Sequence, residues 1–365
     1  MKKKYIYING RFMTQTITGV QRYAIEVIRS LDWLLSKGDI NGKQYKFIIL
    51  APQNTKYNLN LNNISVQVVG RLNSHLWEQI ELPFFSSNGL LVNLCNTAPM
   101  FSGYQILTIH DASVSANKNN YSFLFKFWYQ FLYRILPFRT KKIVTDSNFS
   151  KDELIKYYPI KEEKIKTIYL GTEHLKPVKS NNEILQKFNL GNTTYILAVS
   201  NMNPNKNFSG IITALNYIKN QDLQVVIVGP KDNPIYSEVD LNSSLRINLV
   251  GYVSDEELST LYKNAACFVY PSFYEGFGLP PLEAMVNGCP VIVSNKASLP
   301  EVLGDAAIYC DPYEPKDIAE KIEQVLNDEN LRNELKIKGL ERVNIYSWER
   351  CALEIFKVMM EVMDS

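Results

Sequence analysis

The chain has no C-x-x-C pair, and its five cysteines (Cys95, Cys267, Cys289, Cys310 and Cys351) are odd in number, far apart and mostly set in apolar runs. That usage excludes a disulfide scaffold and predicts buried thiols in a reducing compartment. No D-x-D occurs, and no His/Cys/Asp cluster has metal-ligand spacing, so a bound metal is not expected. Charge of one sign is not in excess: 39 Lys plus Arg against 37 Asp plus Glu leave a net charge of +2, which gives a nucleic-acid partner no compositional support. A long hydrophobic run is missing too. The stretch between Glu81 and Asp111 carries no full-time charge, yet Ser, Asn, Gly and Pro interrupt it too often for a membrane span. The start, MKKKYIYING, lacks the apolar region and small-residue cleavage site of a signal peptide, so export is not expected and the cytosol is.

What is present is an alternation. Apolar strand-like runs (YIYIN, YKFIIL, ISVQVV, LLVNLC, QILTIH, KKIVTDS) are separated by helical patterns from about residue 19 and from about residue 121. Such alternation means a parallel sheet with crossover helices. The rhythm breaks in the polar segment 171–194, which holds Pro177 and a Gly-Asn pair, and an interdomain linker is placed there. It restarts with TYILAVS, LQVVIVG, INLVGYV, CFVYPS, PVIVS and AAIYCD, again with helices between, and closes on three amphipathic helices over about 315–327, 330–343 and 347–363. A length of 365 residues fits two such domains. The predicted fold class is α/β, two doubly wound Rossmann-like domains facing across a cleft, with ligands at the carboxyl ends of the strands.

One strand-loop-helix junction carries the most chemistry: PSFYEGFGLPPLEAMVNGCPVIVS, residues 271–294. The helix must begin near Pro280, because proline is tolerated in a first turn where its missing N–H is not needed. Gly276 and Gly278 let the backbone turn tightly and approach a ligand. The amides of Phe277, Gly278 and Leu279 lie at a positive helix end suited to phosphate. Glu275 beside a bound phosphate would be repelled unless it faced neutral hydroxyls, as a sugar offers, and Glu283, one turn on, suits the vicinal hydroxyls of a ribose. The plainer alternative is that Glu275 caps a loop and Glu283 complements the helix dipole.

These residues resemble the E-x7-E motif of retaining, nucleotide-sugar-dependent family-4 glycosyltransferases with the GT-B fold. ITGVQRYAIEVIRSLD is similar to their amino-terminal glycine loop and helix, TIHDAS to their His-bearing strand end, and SNMNPNKN to their phosphate-binding loop. SLPEVLGDAAIYCDP and YSWERCALEI resemble the segments that close the fold. The subgroup it resembles is mannosyltransferase-like, of bacterial surface-polysaccharide assembly. The resemblance implies an amino-terminal acceptor-side domain over 1–175, a nucleotide-sugar domain over 176–346, and a final helix, about 347–365, packing back on the first. It implies that Glu275 contacts the donor sugar, Glu283 the ribose, and His110 the region of the anomeric carbon and 6-position. Gly19 and Lys206 would then flank the diphosphate, with Asn205 and residues 276–279 completing the donor site. One departure stands out: family members commonly carry an arginine in this loop, where Asn201, Asn203 and Asn205 stand here. Neutralisation would rest on Lys206 and the helix end, with Arg22 as a more distant cation.

Residues 121–142, YSFLFKFWYQFLYRILPFRTKK, set Lys126, Arg134, Arg139, Lys141 and Lys142 among aromatics. Such a segment suits a membrane interface or, equally, a core helix with basic edges. The function expected is a metal-independent, retaining transfer of a hexose, mannose-like, from a nucleoside-diphosphate sugar to a polysaccharide or lipid-linked oligosaccharide. No cofactor is expected, and the enzyme is expected in the cytosol or on the inner face of the plasma membrane. A nucleotide-sugar epimerase and a non-catalytic nucleotide-sugar-binding protein remain as rivals. An NAD-dependent oxidoreductase is disfavoured, because NGRFMTQTITG follows the first strand where G-x-G-x-x-G would be needed.

Overall fold

The computed structural model describes residues 4–117, 121–175, 182–199, 203–230 and 246–365. The chain divides into two compact units, one formed by Met1–Gly171 with Ser347–Ser365, the other by Thr172–Tyr346.

In the first unit, strands β1 (Lys4–Asn9), β2 (Tyr45–Ala51), β3 (Ser65–Val68), β4 (Leu90–Asn93), β5 (Gln105–Thr108), β6 (Lys142–Thr145) and β7 (Ile165–Thr167) pair in parallel. Their order is β3-β2-β1-β4-β5-β6-β7. In the second, β8 (Tyr195–Val199), β9 (Gln224–Val228), β10 (Ile247–Gly251), β11 (Cys267–Tyr270), β12 (Val291–Ser294) and β13 (Ile308–Cys310) are also parallel, in the order β10-β9-β8-β11-β12-β13. Both orders reverse direction beside the first strand, the doubly wound pattern whose switch point opens a crevice at the strand ends. The expected pair of doubly wound sheets is therefore present. Central strands such as β11 are buried along their whole length, which is why they read as unbroken apolar runs.

Helices α1 (Gly19–Lys37), α2 (Phe123–Arg139) and α3 (Asn148–Tyr157) belong to the first unit. The second holds α4 (Phe208–Ala214), α5 (Asp255–Asn264), α6 (Leu279–Val286), α7 (Pro315–Asn327) and α8 (Glu329–Val343). The last helix, α9 (Trp348–Asp364), returns to the first unit: Trp348 meets Tyr23 of α1 with ring centroids 6.1 Å apart, and Phe356 meets Tyr45 of β2 at 5.6 Å. Cys267, Cys289, Cys310 and Cys351 are buried free thiols. Burial pushes Cys267 and Cys310 up to about 12, so they stay protonated.

A buried polar knot fastens the strand ends of the first unit. Glu78, in the helical stretch 74–85, receives Arg11 Nε at 3.1 Å, Asn9 Nδ2 at 2.8 Å and Thr97 Oγ1 at 2.8 Å on one oxygen. Burial alone would raise this carboxyl, but the Arg11 charge, the nearby His75 ring and the hydrogen bonds from Asn9 and Thr97 outweigh it and hold the carboxyl at about 2. Because the folded pKa lies below the unfolded one, the contribution is complete above about pH 4.5 and disappears as pH falls toward about 2; it amounts to about 3 kcal/mol. All four tryptophans, Trp33, Trp77, Trp128 and Trp348, lie in this unit, so tryptophan fluorescence reports it alone. In urea titrations followed by tryptophan fluorescence, stability should fall over pH 4.5 to 2.5. Glu78→Gln should lose about 3–5 kcal/mol at pH 7, because it strands the Arg11 charge, and should flatten that pH slope.

Candidate active site

In the second unit the ends of β8 and β11 lie side by side at the switch point, and the loops that follow them interlock. The β8 loop makes a short 3-10 turn, Pro204–Lys206, capped by Asn203, whose side chain accepts the Asn205 N–H. Asn205 points its carbonyl at the other loop, where Ser272 Oγ at 2.7 Å and the Phe273 N–H at 2.8 Å meet it. Asn207 adopts a left-handed conformation (φ 54°), caps α4 through the Gly210 N–H at 3.1 Å, and donates to the carbonyls of Pro271 and Pro312 at 3.1 and 2.7 Å. Asparagine tolerates that backbone and supplies both donor and acceptor at once.

This scaffold brings Lys206 Nζ to 2.7 Å from Glu275 Oε1, both side chains largely buried. Lys206 also donates to the Tyr270 hydroxyl and lies 4.9 Å from its ring centre. Ser272 Oγ lies within hydrogen-bond reach of Glu275 Oε1, and Ser298 Oγ donates to the Glu275 carbonyl at 2.9 Å. Burial, reinforced by the Glu275 charge, pushes the Tyr270 phenol well above its ordinary range, so it remains a neutral hydroxyl. The site is therefore a closed charge pair on hydroxyl supports, and a ligand bearing an anionic group and hydroxyls can exchange with each half. Sequence reading separates the two residues, one for diphosphate and one for sugar; the structure shows them as partners.

Gly278 (φ 93°) closes the loop and caps α6, and a Cβ there would meet Leu299 Cδ2 at 2.6 Å. Only glycine meets both demands. Pro280 and Pro281 have no N–H, so the donors at this helix end are the amides around Gly278 and Leu279. Glu283, one turn on, is held by His174 Nε2 at 3.1 Å on Oε1 and approached by the Tyr262 hydroxyl at 3.5 Å on Oε2. His174 is a residue that sequence reading passed over, since 109 positions separate it from Glu283 and no spacing pattern links them.

The first unit holds the other residues singled out. Gly19 opens α1, and a Cβ there would meet nothing within 4 Å, so the fold of this unit does not require glycine. His110 is buried after β5 with its Nδ1 2.7 Å from Asp146 Oδ2, its Nε2 3.1 Å from the Leu94 carbonyl, and Tyr23 edge-on at 4.7 Å. Burial favours the neutral ring, but the Asp146 carboxylate outweighs it and raises the pKa. Both ring nitrogens thus face acceptors, which suits the cation. Asp111 accepts the Ser113 N–H at 2.8 Å and orders its own loop. A polar cavity of about 260 Å³ lies here, lined among others by Arg11, Gln21, Asn96, Asp111, Tyr121 and Tyr129. Residues 200–202, including Asn201 of the expected phosphate loop, lie outside the described residues. Among the described residues no group of three or more His, Cys, Asp or Glu could hold a metal, and no helix is long and apolar enough to cross a membrane.

Gly278→Ala should destabilise the second unit by about 1–3 kcal/mol through its backbone conformation and the Leu299 contact. In a double-mutant cycle with Leu299→Ala, followed by circular dichroism, the two losses should sum to less than additivity because the clash disappears.

Comparison with known proteins bears on this geometry. Residues 180–342 match the family model described as Glycosyl transferases group 1. The chain is 37% identical over 224 residues to O-antigen chain mannosyltransferase B of Escherichia coli, covering 59% of each chain. It is 32% identical over 235 residues to O-antigen chain mannosyltransferase RfbU of Salmonella typhimurium, covering 64% of this chain and 63% of that one. These matches thus span about three fifths of the relatives' length. Among solved structures, sucrose-phosphate synthase from Thermosynechococcus elongatus superimposes with a TM-score of 0.76 at 17% identity over 100% of both chains. HepE from Anabaena, in complex with UDP and glucose, does so at 0.74 and 15% identity over 98% of this chain and 100% of that one. Residues 180–342 thus carry the group 1 pattern, the chain is similar in sequence to O-antigen chain mannosyltransferases over about three fifths of its length, and its whole length shares the GT-B fold.

Proposed function

We propose that this protein transfers a hexose, mannose in the favoured case, from a nucleoside-diphosphate sugar to a hydroxyl of a polysaccharide or lipid-linked oligosaccharide, with retention of anomeric configuration. The observation that carries the reading is the Lys206–Glu275 pair, 2.7 Å apart at the switch point of the second sheet and beside the glycine-led start of α6. A diphosphate offers Lys206 and the helix-end amides the anion they suit, and releases Glu275 to accept hydrogen bonds from the sugar. The bond from the anomeric carbon to the leaving phosphate oxygen then breaks, and one to the acceptor oxygen forms on the same face. The acceptor's proton passes to the departing phosphate. Glu275 positions the sugar and is not a nucleophile, and Glu283 holds the ribose.

The cavity in the first unit suits the acceptor. Tyr121, Phe125 and Tyr129 form a stacked series, with centroids 5.4 and 4.3 Å apart, against which a pyranose face can pack, while Asp111 and Gln21 offer polar groups to hydroxyls. The opposite side of α2 supports peripheral contact with anionic lipid: Phe123, Leu124, Phe127 and Phe138 are exposed, Arg134 and Arg139 flank them, and the helix contains no acidic residue.

Steady-state kinetics separate the roles. Glu275→Gln weakens bonds to a sugar whose charge changes in the transition state, so kcat should fall about 100-fold or more with a smaller change in donor KM. Glu283→Ala should chiefly raise donor KM. Lys206→Ala should damage both, since the diphosphate is bound before it leaves and gains charge as it leaves. Near-normal kcat in Glu275→Gln, or product inverted by NMR, would defeat this assignment, and sugar released or epimerised without acceptor would favour an epimerase. For the lipid contact, replacing Lys126, Arg134 and Arg139 by Glu should abolish flotation with anionic liposomes while leaving circular dichroism unchanged; unaltered flotation would assign α2 to the core alone.

A further inference from the structure

A carboxylate that accepts two hydroxyls must itself be held still. Glutamate has three rotatable bonds, and fixing them at the moment of binding weakens the complex. In this protein the cost is met within the fold. His174, with its side chain 4% exposed, reaches Glu283 Oε1 at 3.1 Å, and Tyr262 approaches Oε2 at 3.5 Å while also lying 3.3 Å from the Pro280 carbonyl. Burial and the Glu283 charge push the Tyr262 phenol well above its ordinary range, so it remains a hydroxyl. An ionised carboxylate has about four lone-pair sites. Tyr262 shares its single proton between the Pro280 carbonyl and Oε2, so His174 on Oε1 is the firm donor, and lone-pair sites stay open on both oxygens of a side chain that is still 14% exposed.

We propose that His174 is a positioning residue for the nucleotide's ribose: through Nε2–H it fixes Glu283 Oε1, so that the carboxylate's two open sites meet the vicinal 2′- and 3′-hydroxyls together. This rests on the glycosyltransferase reading and deepens it. Among the described residues, Glu283 on α6 contacts the ring, Tyr262 on α5 approaches the same carboxylate, and the neighbouring Glu173 turns its Oε2 to the Thr172 N–H at 3.1 Å. None of these substitutes for the bond to Oε1. The role is preorganisation: without the imidazole, Glu283 keeps its place in the sequence but samples rotamers in which only one oxygen, or neither, faces the diol.

The test uses the full chain and titration calorimetry with UDP and GDP and with their 2′,3′-dideoxy analogues. In the wild type, the dideoxy compounds should bind at least tenfold more weakly than the parent that binds. His174→Phe keeps the ring volume but has no donor; it should weaken the parent nucleotide about tenfold and leave the dideoxy compound almost unaffected, collapsing the discrimination. His174→Gln, which can place an amide N–H near the same point, should restore most of it. In a Glu283→Ala background, His174→Phe should have no further effect on nucleotide affinity. With sugar donor, His174→Phe should raise KM with less than a threefold change in kcat. His174→Ala, checked by circular dichroism, replaces the Phe variant if that fails to fold. If the wild type binds neither diphosphate, the glycosyltransferase reading fails and this inference with it. If Glu283→Ala destroys the ribose discrimination while His174→Phe keeps it, the inference alone is overturned.

Discussion

Lysine and glutamate side chains largely removed from water must be paired or be lost, and the organisation of the second unit's site follows from that requirement. Taking Lys206 and Glu275 out of solvent costs several kcal/mol per charge, which the pair recovers only with close geometry and further hydrogen bonds. Both are present: a 2.7 Å contact, the Tyr270 hydroxyl beneath the ammonium and Ser272 beside the carboxylate. The same requirement makes the pair exchangeable. Under the proposed function the ammonium takes a diphosphate in place of the carboxylate, and the carboxylate takes sugar hydroxyls in place of the ammonium. A buried ion pair contributes little to stability, but it preserves two opposite charges in a desolvated crevice where each acts strongly.

The architecture was legible because parallel strands are covered on both faces. Runs such as YILAV and CFVY carry no polar interruption, and the intervening amphipathic patterns left only a doubly wound sheet as a solution. The loop 271–279 was equally plain, since glycines and prolines punctuate it and its start and stop signals are local. What stayed hidden has one physical origin. Lys206 lies 69 residues from Glu275, His174 lies 109 from Glu283 and Arg11 lies 67 from Glu78. Each pair meets because sheet order brings distant segments together, and strand order is set by crossover connections and core packing that no short spacing encodes. The aromatic segment shows another limit: α2 has a buried side, with Leu132, Tyr133 and Leu136, and an exposed apolar side, with Phe123, Phe127 and Phe138, so composition alone does not choose between core and interface.

The division of labour along the chain reverses its order of synthesis. The second unit, Thr172–Tyr346, is one continuous stretch, whereas the first is completed by Ser347–Ser365. Until 348–364 have left the ribosome, Tyr23 and Tyr45 lack the rings of Trp348 and Phe356, and Lys37 lacks its 3.2 Å partner Glu349. The stretch made later can therefore close its core while the stretch made earlier still waits for α9 to cover its apolar flank. The amino-terminal sheet is therefore the part whose core stays open longest after its own strands have been made.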